Sequence, residues 1–299
     1  GASNLRGRCF PGFPETNVLG YAEAVEDWHG LSGHLEPTAW WEKRSGQFHH
    51  DGGFSSSAPQ PPALVSMYCE EAPSKGTPPA FLWHPPTATH LDCPPGATMF
   101  FSTRVALQLA PVDVAARARC LRCCYKEGFG RIRIGEYPIL SESFLTPLHP
   151  PSAPIDERAS HRSITKFESF ETLAFGQGGG VEADTDTAPF FHHRLVQCDT
   201  RGREYVVVHT VCLDHLEELT GDKWMPLSWA ASQEFVERLL APAASPPYLQ
   251  LIDWQAGDVV LWDNLQTQHS VTPTDAYVVK GQRRLMTRTA MMPAMAVLS

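Results

Sequence analysis

The strongest patterns along this chain are short apolar, β-branched runs separated by Gly- and Pro-containing turns, and they cluster in its second half. Glu204-Tyr-Val-Val-Val-His-Thr-Val-Cys212 is continuous and β-branched. It follows Phe190-Phe-His-His-Arg-Leu-Val-Gln197 across the turn Cys198-Asp-Thr-Arg-Gly-Arg203, so the two runs read as a hairpin. Tyr248 to Trp254, Gly257 to Trp262 and Arg283 to Met292 predict further strands, and Arg131-Ile-Arg-Ile134 alternates with period two. Two helices interrupt them. One runs from Val105 to Tyr125; the other, Trp229 to Leu240, carries the apolar stripe Trp229, Val236, Leu239 and Leu240. Two stretches fit neither pattern: Lys75 to Pro95, dense in proline, and Leu145 to Gly180, which ends in Gly176-Gln-Gly-Gly-Gly180. Long irregular stretches in compact domains serve as lids or binding loops, or stay disordered.

Short strands with few helices predict a mainly β fold with flanking helices, a double-stranded β-helix of the jelly-roll, cupin-like kind. A chain of 299 residues fits one such domain, spanning 1–299, with a Pro-rich insertion near 75–95 and a candidate lid at 145–180. Composition narrows the function. Lys and Arg total 24 against 33 Asp and Glu, a net charge of −9, opposite to the balance of a phosphate-tracking nucleic-acid binder. A basic cluster at Arg117, Arg119, Arg122, Lys126, Arg131 and Arg133 reads mainly as a solvated face. The longest apolar runs fall short of a membrane span. Eight cysteines in a chain of this length make no compact disulfide framework; free thiols suit a reducing, intracellular and most simply cytoplasmic setting. Cys120, Cys123 and Cys124, spaced i, i+3, i+4 on the first helix, read as one buried face rather than a zinc site.

The chemistry gathers around histidine. Gln47-Phe-His49-His50-Asp51-Gly-Gly-Phe54 contains His-x-Asp, and in an extended segment residues i and i+2 point the same way. His49 and Asp51 can therefore share one ion while His50 faces away. A third ligand comes from Gly257-Asp-Val-Val-Leu-Trp-Asp-Asn-Leu-Gln-Thr-Gln-His269, where a buried strand delivers His269 just past its end. Two histidines and a carboxylate on one face of an octahedral ion leave adjacent positions open, the arrangement of non-haem Fe(II) oxygenases. A second copy, His90-Leu-Asp92, lies between prolines and is read as a loop unable to join a sheet. The remaining histidines have no matched spacing.

Gln282-Arg283-Arg284-Leu-Met-Thr-Arg288 follows. On a strand Arg284 and Arg288 project to one side, ~13 Å apart. Two guanidiniums facing an interior are tolerated where each meets an anion in a fork-shaped contact. The competing reading is that either pairs with an interior acid.

These residues, in this order, resemble the TauD/TfdA family of taurine-dioxygenase-like, Fe(II)- and 2-oxoglutarate-dependent oxygenases. The matching pieces are Phe48-His49-His50-Asp51-Gly-Gly-Phe54 with Pro61-Pro62 after it, Gly96-Ala97-Thr98 on a strand, Gly257 to His269, and Arg283 to Arg288. The resemblance implies Fe(II) held by His49, Asp51 and His269, and the far carboxylate of 2-oxoglutarate held by Arg284 and Thr98. It also implies a small anionic substrate held by Arg288. The implied reaction, with O2 as oxidant, hydroxylates an aliphatic C–H while 2-oxoglutarate becomes succinate and carbon dioxide. Related halogenases have a small residue where Asp51 stands, so the intact carboxylate implies hydroxylation. With 48 residues before His49, fewer than the family's norm, two readings are open: the family's N-terminal strands are absent, or they lie outside this sequence. Three rivals compete: a non-catalytic cupin-like metal-binding protein, a zinc hydrolase on the same His/Asp/His set, and an oxygenase of this chemistry acting on a macromolecule.

Overall fold

The hydrophobic residues of Phe13–Trp28 that are buried, Val18, Ala22, Val25 and Trp28, lie mostly on one face of an extended chain, and this segment forms a long strand in a computed structural model of the protein. The structure describes residues 3, 5, 8–35, 48–53, 61–73, 80–83, 89–92, 94, 96–126, 145–147, 190–210, 212–272 and 282–291. Strands β1 (Cys9–Phe10), β2 (Phe13–Trp28) and β3 (Leu31–Leu35) precede the His49 segment. The mixed polar sequence Glu15-Thr-Asn17 hid a strand whose place is set by pairing with a segment near the chain's other end.

The larger sheet also contains β4 (Leu64–Glu71), β16 (Val259–Asp263) and β18 (Arg284–Met291), in the order β1-β2-β18-β4-β16, with β3 on β2. β18 lies between β2 and β4, antiparallel to both, with Arg288 opposite Asn17 and Met67. The facing sheet has β7 (Thr98–Ser102) between β15 (Gln250–Ile252) and β17 (Thr267–Val271). Alternation along β7 fixes the layers. Met99 and Phe101 turn outward into the largest apolar cluster, with Leu107, Leu121 and Leu239. Phe100 turns inward to Val65, Met67, Trp254, Trp262 and Met286. Two sheets enclosing a core, backed by helices on one side, make the expected jelly roll.

Outside it, β10 (Phe190–Arg194), β8 (Leu121–Lys126), β13 (His215–Thr220) and β14 (Lys223–Pro226) form a four-stranded sheet in that order. β11 (Val196–Cys198) and β12 (Glu204–Val206) pair across the predicted 198–203 turn. There Asp199 accepts from the Arg201 and Arg203 amides at 2.8 and 2.9 Å. The hairpin is shorter than the sequence suggests. Past Val206 the chain breaks from strand and turns at His209, whose carbonyl accepts from the Leu213 amide. The turn overrides β-propensity and leaves His209 buried.

The first predicted helix is three elements: α1 (Thr103–Leu109), α2 (Val112–Ala118) and then β8. Pro111 cannot donate an intrahelical bond and ends α1. On β8, Cys123 and Cys124 face opposite ways, and Cys120 is exposed, so the three share no helix face. The second predicted helix, α3 (Trp229–Leu240), stands as read, capped by Ser228, whose hydroxyl accepts from the Ala231 amide at 3.2 Å. Leu239 is fully buried on its stripe. Leu239→Ala should lower unfolding free energy by about 2–5 kcal/mol in a urea titration.

Strand β5 (Ala80–Trp83) pairs with β6 (Thr89–Asp92) and with β9 (Leu145–Pro147). His90 and Asp92 therefore lie on a paired strand rather than in a loop. The predicted strand at Arg131–Ile134 and the stretch 148–180 lie outside the described residues. The basic cluster is offset by acids: Arg117 pairs with Glu218, Arg119 with Glu204 and Arg122 with Glu217. Among the described residues no helix is long and apolar enough to cross a membrane.

Candidate metal centre

His49 and His269 are 220 positions apart, yet their backbones form a two-way bridge, each amide donating to the other's carbonyl at 3.0 Å. Their rings lie 4.5 Å apart, centroid to centroid. His269 sits on β17 itself, opposite Phe100, and not past a strand's end as the sequence suggested. Asp51 completes the group. Its Oδ1 is 3.9 Å from His49 Nε2 and its Oδ2 is 3.8 Å from His269 Nε2. One donor atom from each residue falls within 4.8 Å of the others. His50 points away, as period two requires, and its Nδ1–H donates to the Val208 carbonyl.

Two features of the chain hold this geometry. Gly53, at φ +76°, turns the chain after Asp51 against Pro61, where a Cβ would approach the proline ring to 2.7 Å. Asn264 clamps the segment: its Oδ1 accepts from the Asp51 amide at 3.1 Å, and its Nδ2 donates to the carbonyls of Asp51 and Pro62 at 3.0 Å. Asn264 and the buried Gln268, which donates to the Val208 carbonyl at 2.8 Å, were missed by the sequence reading. The available signal was their position inside the Trp262-to-His269 stretch, polar residues where a buried strand turns. His209 was missed too. It is buried with its ring 5.4 Å from that of His49, and its amide donates to the Tyr125 hydroxyl.

The electrostatics suit a cation. Burial alone would push the Asp51 carboxyl up, but Arg288, His269 and His49 outweigh it and hold it well below the usual carboxylate range. Burial pushes His269 down to about 3, so its imidazole is neutral and able to ligate. Asp51 Oδ2 is buried without a hydrogen-bond partner. An orphaned carboxylate oxygen beside a neutral imidazole, with a second histidine ring adjoining, fits a divalent metal.

Arg284 and Arg288 both turn into the space between the sheets, as their spacing predicts. Arg284 is 7% exposed; its Nε donates to the Gly96 carbonyl at 2.9 Å and its Nη2 to Thr98 Oγ1 at 3.4 Å. Gly96, at φ +63°, permits this approach: a Cβ there would stand 2.9 Å from Arg284 Cδ. Thr98 also accepts from Trp254 Nε1 at 2.9 Å. Burial lowers the Arg284 guanidinium to about 10, and among the described residues no carboxylate pairs with it. Thr98 lies two residues along β7 from Phe100, whose ring is 5.9 Å from that of His269, so this cationic corner adjoins the histidines. Arg288 reaches the centre itself: its Nη1 donates to Asp51 Oδ1 at 2.8 Å, while its Nε is buried without a partner.

A jelly roll with His, Asp and His converging beside a buried arginine defines a class of metal-dependent oxygenases. The chain belongs to the taurine catabolism dioxygenase TauD, TfdA family, whose profile matches residues 32–290. Enzymes of that family use Fe(II), 2-oxoglutarate and O2. Pentalenolactone F synthase of Streptomyces arenae is 26% identical over 129 residues, which span 43% of this chain and 39% of that protein. Two solved structures from Burkholderia xenovorans share the fold. One, described as an alpha-ketoglutarate-dependent taurine dioxygenase, has a TM-score of 0.52 at 16% identity, covering 97% of this chain and 69% of its own. The other, a taurine dioxygenase, has a TM-score of 0.51 at 17% identity, covering 98% and 69%.

Proposed function

We propose that this protein is an Fe(II)- and 2-oxoglutarate-dependent dioxygenase that hydroxylates an aliphatic C–H of a small, anionic organic substrate, releasing succinate and carbon dioxide. The observation that carries this reading is the meeting of His49, Asp51 and His269 beside a buried arginine that has no acid partner among the described residues. His49, Asp51 and His269 would hold the iron, and bound iron would supply the oxidising chemistry with O2 and the keto acid. Arg284 would take the far carboxylate of 2-oxoglutarate in a fork-shaped contact, and Thr98 Oγ1 would orient that guanidinium. A purely structural metal site has no use for Arg284. The Pro-rich stretch 75–95 and the segment from 145 onward act in this reading as a cover that excludes water, within a single domain. Pairing of β5, β6 and β9 supports treating them as one unit.

Arg288 would anchor the substrate's anionic group through its unpartnered Nε, with Nη1 still on Asp51. Arg288→Ala should raise the substrate KM or lower turnover by about tenfold or more, an exposed-to-buried charge contact being worth at least that. Iron affinity should not fall, because the substitution removes a cation that competes for Asp51. Uncoupled 2-oxoglutarate decarboxylation should persist; unchanged kinetics toward every small anion would reject this role.

The function is tested by adding Fe(II) and then 2-oxoglutarate to the protein without oxygen, followed by a panel of carboxylates, sulfonates, sulfates and phosphonates. The weak charge-transfer absorption of the chelate reports the keto acid, and its perturbation reports the substrate. Admission of air should then produce succinate. Absence of both chelate absorption and succinate would reject the proposal.

A further inference from the structure

The four-stranded sheet carries a second group of metal-binding side chains that the oxygenase site does not use. Register places His192 of β10 and His215 of β13 opposite the same residue, Cys124 of β8, so the three form one row across adjacent strands. Glu217, two residues along β13 from His215, lies on the same face. Ligand atoms of Cys124, His192 and Glu217 all fall within 4.8 Å of one another. Tetrahedral zinc, with bonds of about 2.0 Å to nitrogen and about 2.3 Å to sulfur, sets its ligand atoms ~3.3–3.8 Å apart, a small contraction from this arrangement.

Two further contacts leave the right atoms available. Glu217 Oε2 accepts from Arg122 Nε, which leaves Oε1 turned to His215 Nε2 at 3.7 Å. His215 Nδ1 donates to Asp214 Oδ2 at 2.8 Å, the carboxylate–histidine arrangement that fixes a tautomer with Nε2 ready to ligate. Phe190 closes one side, its ring 5.4 Å from His215 and 6.2 Å from His192. Cys124 is fully buried.

We propose that this face holds zinc(II), with Cys124, His192 and Glu217 as ligands and His215 as the fourth. Thiolate, imidazole and carboxylate together suit zinc, and four protein ligands close the site, so its role is structural. On binding, the Cys124 thiol releases its proton to solvent as the sulfur–zinc bond forms. The thiolate and Glu217 then balance the two charges of the ion. The ion would tie β10, β8 and β13 together. On the inner side of β8, Tyr125 accepts from the His209 amide, and the tilted His209 ring lies 5.4 Å from that of His49. Zinc on one face would therefore stiffen the support of the histidines on the other.

Cobalt(II) tests the site in the 299-residue chain, because only a cysteine-containing site gives a thiolate-to-cobalt charge-transfer band. One equivalent of that band should develop in the unsubstituted protein and in His269→Ala, and zinc should displace it. Cys124→Ser should lose the band. His192→Asn, at a half-buried position that tolerates the change, should weaken zinc binding by about tenfold or more. A band absent from the unsubstituted protein, a band retained in Cys124→Ser, or unchanged zinc affinity in His192→Asn would each overturn the proposal.

Discussion

Arg284→Ala should weaken 2-oxoglutarate binding by about thirtyfold or more, since truncating one partner of a buried, hydrogen-bonded charge pair costs about 2–5 kcal/mol and each 1.4 kcal/mol is tenfold. The apparent Km for the keto acid should rise by that factor, and metal content should not change. Arg284→Lys should recover only part of the loss, because an ammonium keeps the charge but cannot match a carboxylate with two parallel bonds. A second readout separates this role from a structural one. The guanidinium is buried, its partners among the described residues are Gly96 and Thr98, and burial has already lowered it to about 10. Removing a buried cation that has no acid partner should leave the ligand-free protein as stable as before, or more stable. A variant that unfolds more easily yet keeps its affinity for 2-oxoglutarate would show that Arg284 is a packing residue.

Asp51→Ala should abolish turnover and reduce iron affinity by more than about a hundredfold, a loss beyond the 10–100-fold typical of supporting residues around a metal. The physical reason goes past a missing ligand. Arg288 donates to Asp51 Oδ1, so removing the carboxylate leaves an unpaired guanidinium facing the position of a divalent cation. Asp51→Asn distinguishes the two effects, because the amide oxygen can still accept from Arg288. It should bind iron weakly but better than Asp51→Ala. Metal analysis after dialysis, together with succinate formation, measures both. Iron content and turnover equal to those of the unsubstituted protein would remove Asp51 from the centre.

The segments that meet at the candidate centre were legible because their chemistry is local. His49 and Asp51 are two residues apart on extended chain, and Arg284 and Arg288 four apart on a strand, so backbone period alone sets their directions. Their partners were not legible. Asn264 binds the backbone at Asp51 and Pro62, and Arg288 pairs with Asp51, through contacts that close only when distant strands assemble. His209 was hidden in a β-branched run whose propensity favoured a longer strand than the fold permits. The same limit concealed β2, whose alternation is blurred by polar residues and whose identity rests on pairing with β18. Cys123 and Cys124 were assigned to one helix face by their spacing from Cys120. A break at Pro111 and a change of period after Ala118 place them on opposite sides of a sheet.

The position of β18 bears on how the protein matures during synthesis. This strand is synthesised after every other strand named above, yet it fills the gap between β2 and β4, which until then have unsatisfied edges toward each other. The bridge between His49 and His269 likewise waits for β17. Until β17 pairs, His49, Asp51 and His269 cannot meet, so under the proposed function loading with iron would follow synthesis of β17. Sequence-distant pairing of this kind also folds slowly, which leaves the β2 and β4 edges open to misassociation in the interval.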